Sequence, residues 1–380
     1  MARLFQWKFI ALYIQSLWKK TICKQKLSHC ERIFFIMLCC IEYSYRWFFY
    51  VHQYVRKHKK KYKVPNAYVI SVGNISVGGT GKSVVAAFLV DLLNPSACGV
   101  ILRGYGKKDK QPALLVGDGK RIITTVENAG DEALMAARNL GCTVAVGSNR
   151  KMAIQIVYKN IHPHPVFFIL DDAYQNHALV KDLEIVLLDA TAPYGNGHCL
   201  PAGPLREKDL SRADCVFITH ADNVVSHDLA KIKNDLQTKI PQALVVATKH
   251  VIKKIYNPYD IIFDNKEASG CTCLVVAAIG NFSHFLSNIK NCGFNIGGVC
   301  EYPDHHAYTR SDLIEIIATM KNTGASYVIT TQKDWEKLGP LVHMRDDYKK
   351  FFLITTVSIE FLSYQEYSFF TEFLKKRLCE

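Results

Sequence analysis

Paired C-x-x-C spacing is missing from this sequence, although it holds thirteen cysteines. Neither Cys39-Cys40 nor Cys271-x-Cys273 has the spacing of a structural zinc site. Thiols scattered over 380 residues read as reduced, mostly buried side chains of a cytosolic compartment, not as a disulfide framework. No uncharged run reaches the ~20 residues that cross a bilayer as a helix. No small-residue cleavage site follows a compact apolar core, which excludes the signal-peptide pattern. No internal repeat is present. Acidic residues are almost absent from one end: residues 1–64 hold fourteen Lys and Arg against Glu31 and Glu42. Twelve of the thirteen net positive charges therefore belong to that segment, and the rest of the chain is nearly neutral. A nucleic-acid arm is not expected, because the large apolar residues interleaved with these cations would be left without a partner.

What the first 64 residues do hold is aromatic and aliphatic. Leu4 to Ile14 runs into Lys19-Lys20, and Ile33 to Ile41 continues through Trp47-Phe48-Phe49-Tyr50 to Arg56-Lys57-His58-Lys59-Lys60-Lys61. This pattern predicts one or two helices lying in a membrane interface, with aromatic rings at headgroup depth and Lys/Arg on anionic lipid.

Ser76-Val77-Gly78-Gly79-Thr80-Gly81-Lys82-Ser83 follows the apolar run Ala67 to Val72 and precedes Val84 to Leu93, which has the length and apolar content of a helix. Strand, glycine-rich loop and helix in that order make a phosphate-binding loop. The glycines let backbone N–H groups turn inward, and the helix adds its positive end. Lys82 is placed to reach the outer phosphates and Ser83 to ligate magnesium. Ser76 stands where the usual motif has its first glycine.

After this loop, strand-like and helix-like segments alternate: strands at Val100–Leu102, Thr143–Val146, Val166–Leu170, Glu184–Leu188 and Cys215–Thr219, with helices from Asp131 and Arg150. The alternation predicts an α/β fold of the P-loop NTPase type, a mostly parallel sheet with helices on both faces. Ligands are then expected at the C-terminal strand ends. Three parts are expected: an interfacial helical segment over 1–64, a P-loop core over 65–240, and a smaller C-terminal α/β lobe over 241–380.

Val166 to Asp172 is a buried strand ending in two aspartates, the position at which a P-loop enzyme holds magnesium. On an extended chain Asp171 and Asp172 point to opposite sides. Gly130-Asp131-Glu132 opens a helix, where acids suit the helix dipole in any case. Asp304-His305-His306 lies in a loop of the second lobe, with no further Cys/His ligand spaced nearby. Gly195 to Glu207 is a loop dense in Gly and Pro that ends in Arg206-Glu207.

Taken together these motifs identify a family. Val-Gly-Asn-Ile-Ser-Val-Gly-Gly-Thr-Gly-Lys-Ser (72–83), Arg-Gly-Tyr-Gly (103–106), Gly-Asp-Glu (130–132), Asp-Asp-x-x-Gln (171–175), Gly-Asn-Gly-x-x-Leu-Pro-Ala-Gly-Pro-Leu-Arg-Glu (195–207), Asp-His-His-x-Tyr (304–308) and Thr-x-Lys-Asp (331–334) closely resemble the tetraacyldisaccharide 4'-kinases, the lipid A 4'-kinases, over roughly residues 30–340. The resemblance implies transfer of the ATP γ-phosphoryl group to the 4'-hydroxyl of an acylated disaccharide 1-phosphate. It places the reaction at the cytosolic face of a bacterial inner membrane, with Mg2+, by a monomeric chain. It implies Asp131 as base, His305 as its partner, Lys82 on β/γ oxygens, and Ser83 with Asp171 and Asp172 on the metal. Glu132, Arg150, Gln175, Asn196 and Arg206 follow as substrate-side candidates.

Departures from the family pattern are Ala173 for glycine, Asn176 for histidine, Ser83-Val84 for Thr-Pro, Leu102 for serine, and an earlier start. A membrane-bound GTPase would need a guanine-reading N/T-K-x-D, but in Thr331-Gln332-Lys333-Asp334 the lysine comes one place late. Such a switch protein would also need D-x-x-G, and Asp171-Asp172-Ala173-Tyr174 lacks the glycine. A catalytically impaired lipid-binding homologue is the other alternative, against which Lys82, Asp131 and His305 are retained.

Overall fold

The computed structural model describes residues 2–23, 25–57, 60–104, 111–263, 270–303, 306–344 and 346–379. Tyr105 and Gly106 of the Arg-Gly-Tyr-Gly motif, together with Asp304 and His305, lie outside the described residues.

Two helices lead the chain, α1 (Ala2–Ile22) and α2 (His29–Lys57). The alternating core follows: β1 (Tyr68–Asn74), α3 (Lys82–Leu93), β2 (Cys98–Leu102), β3 (Ala113–Asp118), α4 (Val126–Ala129), α5 (Asp131–Asn139), β4 (Thr143–Gly147), α6 (Arg150–Asn160), β5 (Phe167–Asp171), β6 (Leu183–Asp189), β7 (Cys215–Thr219) and α7 (Ser226–Lys239). The remainder is β8 (Leu244–Tyr256), β9 (Thr272–Ala277), α8 (Phe282–Asn291), β10 (Asn295–Glu301), α9 (Arg310–Asn322), β11 (Tyr327–Thr331), α10 (Gln332–His343), α11 (Asp346–Lys349), β12 (Phe352–Phe361) and α12 (Tyr364–Cys379).

The strands form one twelve-stranded sheet in the order β10-β9-β11-β12-β8-β7-β6-β1-β5-β2-β4-β3. Every junction is parallel except β8–β12 and β3–β4. Parallel strands covered on both faces read as continuous apolar runs, and β2, β4 and β7 are buried at every residue. β8 is thirteen residues long, where the sequence pattern shows only the apolar Leu244 to Thr248. The rest of the strand carries Lys249, Lys253 and Lys254; Lys249 and Lys254 pair antiparallel with Glu360 and Thr356 of β12, Lys253 falls at the register shift between them, and this pairing ties the C-terminal strands to the core. β10 is missed by sequence because it is an edge strand with two glycines and only alternate residues half-buried.

The run from Ile33 to Ile41 and its aromatic continuation to Tyr50 form the single helix α2, of which His29–Val55 is long and apolar enough, by length and composition, to cross a membrane. Glu31, Arg32, Glu42 and Arg46 interrupt the run in charge without breaking the helix. One stripe of α2 is committed to the core: Leu38, Glu42 and Gln53 are buried. Along this stripe Glu42 accepts the Cys199 N–H, the Tyr45 hydroxyl donates to Arg206 O, and Gln53 donates to Glu207. The opposite stripe exposes Ile36, Ile41, Trp47, Phe48 and Tyr50.

Candidate active site

At the C-terminal end of β1 the chain enters the glycine-rich loop. The Asn74 amide donates to Thr80 Oγ1 at 2.9 Å, bracing the loop across its mouth. Its first arm is zipped to the Gly/Pro-rich segment: Val77 N–H donates to Pro204 O at 2.8 Å and Arg206 N–H to Ile75 O at 2.7 Å. The shaped loop of the sequence is thus the outer wall of the phosphate loop. Gly78 and Gly79 are exposed at the tip, and Gly81 takes φ +83° as the cap residue of α3. A Cβ at Gly81 would stand 2.3 Å from His250 Nε2, so both the backbone conformation and the close approach require glycine there.

Ser83, in the first turn of α3, donates to Asp171 Oδ2 at 2.9 Å. Asp171 is buried, and its second carboxylate oxygen has no hydrogen-bond partner among the described residues. Burial pushes the Asp171 carboxyl up, against the Ser83 hydrogen bond and the charge of Lys82. The expectation that the two aspartates diverge on an extended chain fails at Asp172. Its φ of +51° turns the chain out of β5 and swings both carboxylates into one site. Asp172 Oδ1 lies 2.8 Å from Arg206 Nη1 and 3.7 Å from Lys82 Nζ. Burial alone would raise this carboxyl, but Lys82 and Arg206 outweigh it and hold it below the usual range. Burial lowers Lys82, with Asp172 opposing. Because the positive φ falls on Asp172, Ala173 can sit fully buried where the family pattern has glycine. Asn176 accepts the Ala178 N–H at 3.0 Å and closes the same turn.

Gln175 bridges the parts: its amide donates to Asn74 O and to Glu207 Oε1, both at 2.9 Å, while its Oε1 accepts from Arg206 at 3.3 Å. Arg150 is 3% exposed and donates to Gly147 O at 2.7 Å and Asp171 O at 2.8 Å, fastening the strand end that carries the acids. Asn196 donates to Thr21 Oγ1 and Ala202 O, both at 3.0 Å, joining α1 to the loop wall.

Beside the acids lies a pocket lined by Leu102, Arg103, Gly104, Ala129, Glu132, Ala133, Asp171 and Asp172. Asp131 is exposed at the start of α5, after Gly130 with φ +88°. Arg138 of α5 pairs with Glu336 of α10, which joins the two halves of the sheet across this edge. Burial raises the Glu336 carboxyl, Arg138 opposes, and Asp131 adds its repulsion. The described end of the Asp-His-His motif is held down: His306 Nε2 lies 3.1 Å from Asp312 Oδ2, and its ring stacks on Tyr302.

Sequence reasoning missed a histidine cluster beneath the phosphate loop. His250 of β8 stacks on His220, which follows β7, with ring centroids 4.4 Å apart, and His284 of α8 packs edge-on to His220 at 5.4 Å. His220 Nδ1 lies 3.1 Å from Asp189 Oδ2 at the end of β6. In sequence these are three isolated histidines; only the packing of the β7 end, the middle of β8 and α8 brings them together.

The family model for tetraacyldisaccharide-1-P 4'-kinase matches residues 34–378. The tetraacyldisaccharide 4'-kinase of Syntrophus aciditrophicus is 35% identical over 287 residues, 72% of this chain and 76% of that protein. That of Halothermothrix orenii is 32% identical over 340 residues, 85% and 87% of the two chains. The solved structure of LpxK from Aquifex aeolicus in complex with ATP superposes with a TM-score of 0.68 at 23% identity, covering 89% of this chain and 97% of that one, a likeness of fold. A match spanning the phosphate loop, the paired aspartates and both halves of the sheet makes this chain a member of the tetraacyldisaccharide 4'-kinase family, ATP-binding kinases of lipid A biosynthesis.

Proposed function

We propose the following division of labour for the family's reaction, transfer of the ATP γ-phosphoryl group to the 4'-hydroxyl of tetraacyldisaccharide 1-phosphate to give lipid IVA. The observation that carries it is the Ser83–Asp171 hydrogen bond beside a buried carboxylate oxygen with no partner among the described residues. Ser83, Asp171 and Asp172 form an oxygen-only donor set, which fits the hard cation Mg2+. Bound there, the ion would neutralise β- and γ-phosphate oxygens. The backbone from Ser76 to Gly81 cradles the phosphates at the positive end of α3. Lys82 exchanges its contact with Asp172 for the β/γ oxygens, while Arg206 stays on Asp172 and keeps that carboxylate in place.

Asp131 takes the proton of the acceptor hydroxyl, with Glu132 lining the pocket into which the sugar enters. Phosphoryl transfer asks little covalent chemistry of the protein, so an aimed carboxylate suffices. His305 partners Asp131 when the core and the C-terminal lobe (241–380) approach one another. Arg150 and Asn196 act as positioning residues: one fixes the strand end of the metal acids, the other ties α1 to the loop wall.

The chain works at the cytosolic face of the inner membrane. Because α2 is bonded to the core along its length, its axis follows the kinase surface, and its outer stripe of Trp, Phe, Tyr and Ile lies in the interface. Its terminal Lys/Arg run meets anionic lipid. Purified protein with Mg2+, γ-labelled ATP and detergent-solubilised disaccharide 1-phosphate is expected to place label at the 4'-position. No transfer, or label at another hydroxyl, overturns the reading.

A further inference from the structure

We propose that Cys39, Glu42 and His198 bind one zinc-class divalent cation, which clamps α2 onto the Gly195–Glu207 loop. The Cys39 Sγ lies 3.9 Å from His198 Nδ1, and that nitrogen lies 2.7 Å from Glu42 Oε2. All three ligand atoms fall within 4.8 Å of one another. Cys39 and Glu42 are three residues apart on the core-facing side of α2, one turn of the same stripe. His198 comes from far along the chain, which is why no spacing pattern in the sequence shows the site.

The surroundings aim these ligands. Glu42 is buried, and its Oε1 is already spent on the Cys199 N–H at 2.8 Å, leaving Oε2 directed at the imidazole. Phe35, one turn before Cys39, packs edge-on against the His198 ring at 5.4 Å and fixes its plane. The His198 side chain is 40% exposed, which gives an ion a path in and leaves a coordination position for water.

Around tetrahedral zinc, light-atom ligands stand about 3.3 Å apart, and sulfur stands about 3.6 Å from nitrogen or oxygen. The separations here bracket those values, so small side-chain rotations complete the site. A thiolate, an imidazole and a carboxylate select a borderline-soft ion over Mg2+ or Ca2+. The site is thereby separated chemically from the oxygen-only set at Ser83, Asp171 and Asp172. On binding, Cys39 loses its thiol proton to buffer and His198 moves its ring proton from Nδ1 to Nε2, so one proton is released per ion. A hydrogen bond between Glu42 and His198 alone would leave the Cys39 sulfur, 3.9 Å from the same nitrogen, without a role.

Full-length protein in detergent, reduced and stripped of metal, is titrated with Co(II) as a spectroscopic stand-in for zinc. One equivalent is expected to raise a thiolate-to-metal charge-transfer band in the near ultraviolet and the visible bands of tetrahedral cobalt. Both are lost in Cys39→Ser and His198→Gln, and both survive in Cys40→Ser and Asp171→Asn. Absence of the band in the unmodified protein, its survival in Cys39→Ser, or its loss in Asp171→Asn overturns the proposal. A second measurement needs no variant: zinc is expected to slow alkylation of Cys39, read by peptide mass spectrometry. An alkylation rate unmoved by saturating zinc also overturns it.

Discussion

Acidification is expected to loosen the fold from beneath the phosphate loop. His250 is buried between His220, His284 and the Gly81 cap of α3, whose positive helix end disfavours a second positive charge. Its Nδ1 has no hydrogen-bond partner among the described residues. Burial first, then the neighbouring His220 and His284, lower its pKa to about 3, while Asp189 opposes. An unfolded chain would protonate the same ring near pH 6.5. For a base with a depressed folded pKa, the contribution to stability is present above about pH 6.5 and is lost as pH falls toward 3. Between pH 7.5 and pH 5.0 the unfolded state gains a proton that the folded state refuses, and the integrated loss is about 2 kcal/mol. His284, lowered mainly by its own burial, pushes in the same direction. Asp189 titrates below this window: burial raises it, but the His220 and Thr191 hydrogen bonds outweigh burial and keep it ionised. Urea unfolding at the two pH values, followed by tryptophan emission, measures the loss. His250→Gln is expected to reduce the decline by about 2 kcal/mol relative to the unmodified chain. Equal declines in the two proteins would refute the assignment of a neutral His250 beneath Gly81.

Asp131→Asn is expected to lower turnover by about 100-fold or more with nucleotide affinity retained, since its proposed partner is the acceptor hydroxyl; steady-state kinetics and ATP titration check both halves. Trp47→Ser combined with Phe48→Ser removes two exposed aromatic side chains, each worth about 2 kcal/mol when buried in lipid. Co-sedimentation with anionic liposomes should fall by two orders of magnitude or more, while turnover on detergent-solubilised substrate stays the same. Unchanged sedimentation would move the membrane contact elsewhere.

Several features were legible in the residues because the physics that sets them is local. Glycines at 78, 79 and 81 before an apolar helix announce a phosphate loop, since backbone that must curl needs residues without Cβ. Continuous apolar runs announce buried parallel strands, and Asp171-Asp172 after such a run announces a pair of carboxylates at a strand end beside the loop. Alternating aromatic and basic residues over the first 64 positions set that segment apart from the near-neutral remainder. Arg206 and Gln175 were singled out through the family motifs, but their partners Asp172, Asn74 and Glu207 were not legible.

Tertiary structure decided whatever depends on contacts between distant strand ends. The left-handed turn at Asp172, which brings both carboxylates to one side, follows from where Lys82 and Arg206 stand, and local sequence carries no sign of it. The zipping of Pro204 and Arg206 to the phosphate loop turned a glycine- and proline-rich stretch into a wall of the site. The stacking of His220, His250 and His284 depends on the end of β7 and the helix α8 meeting beside the middle of β8, and the meeting of Cys39 with His198 depends on how α2 lies across the core. The phosphate-loop and strand patterns come from short-range backbone and burial preferences, which single residues report. Which side chains share a cation, a proton or a phosphate is a matter of distances of a few ångströms between residues remote in the chain, and only the packed sheet sets those.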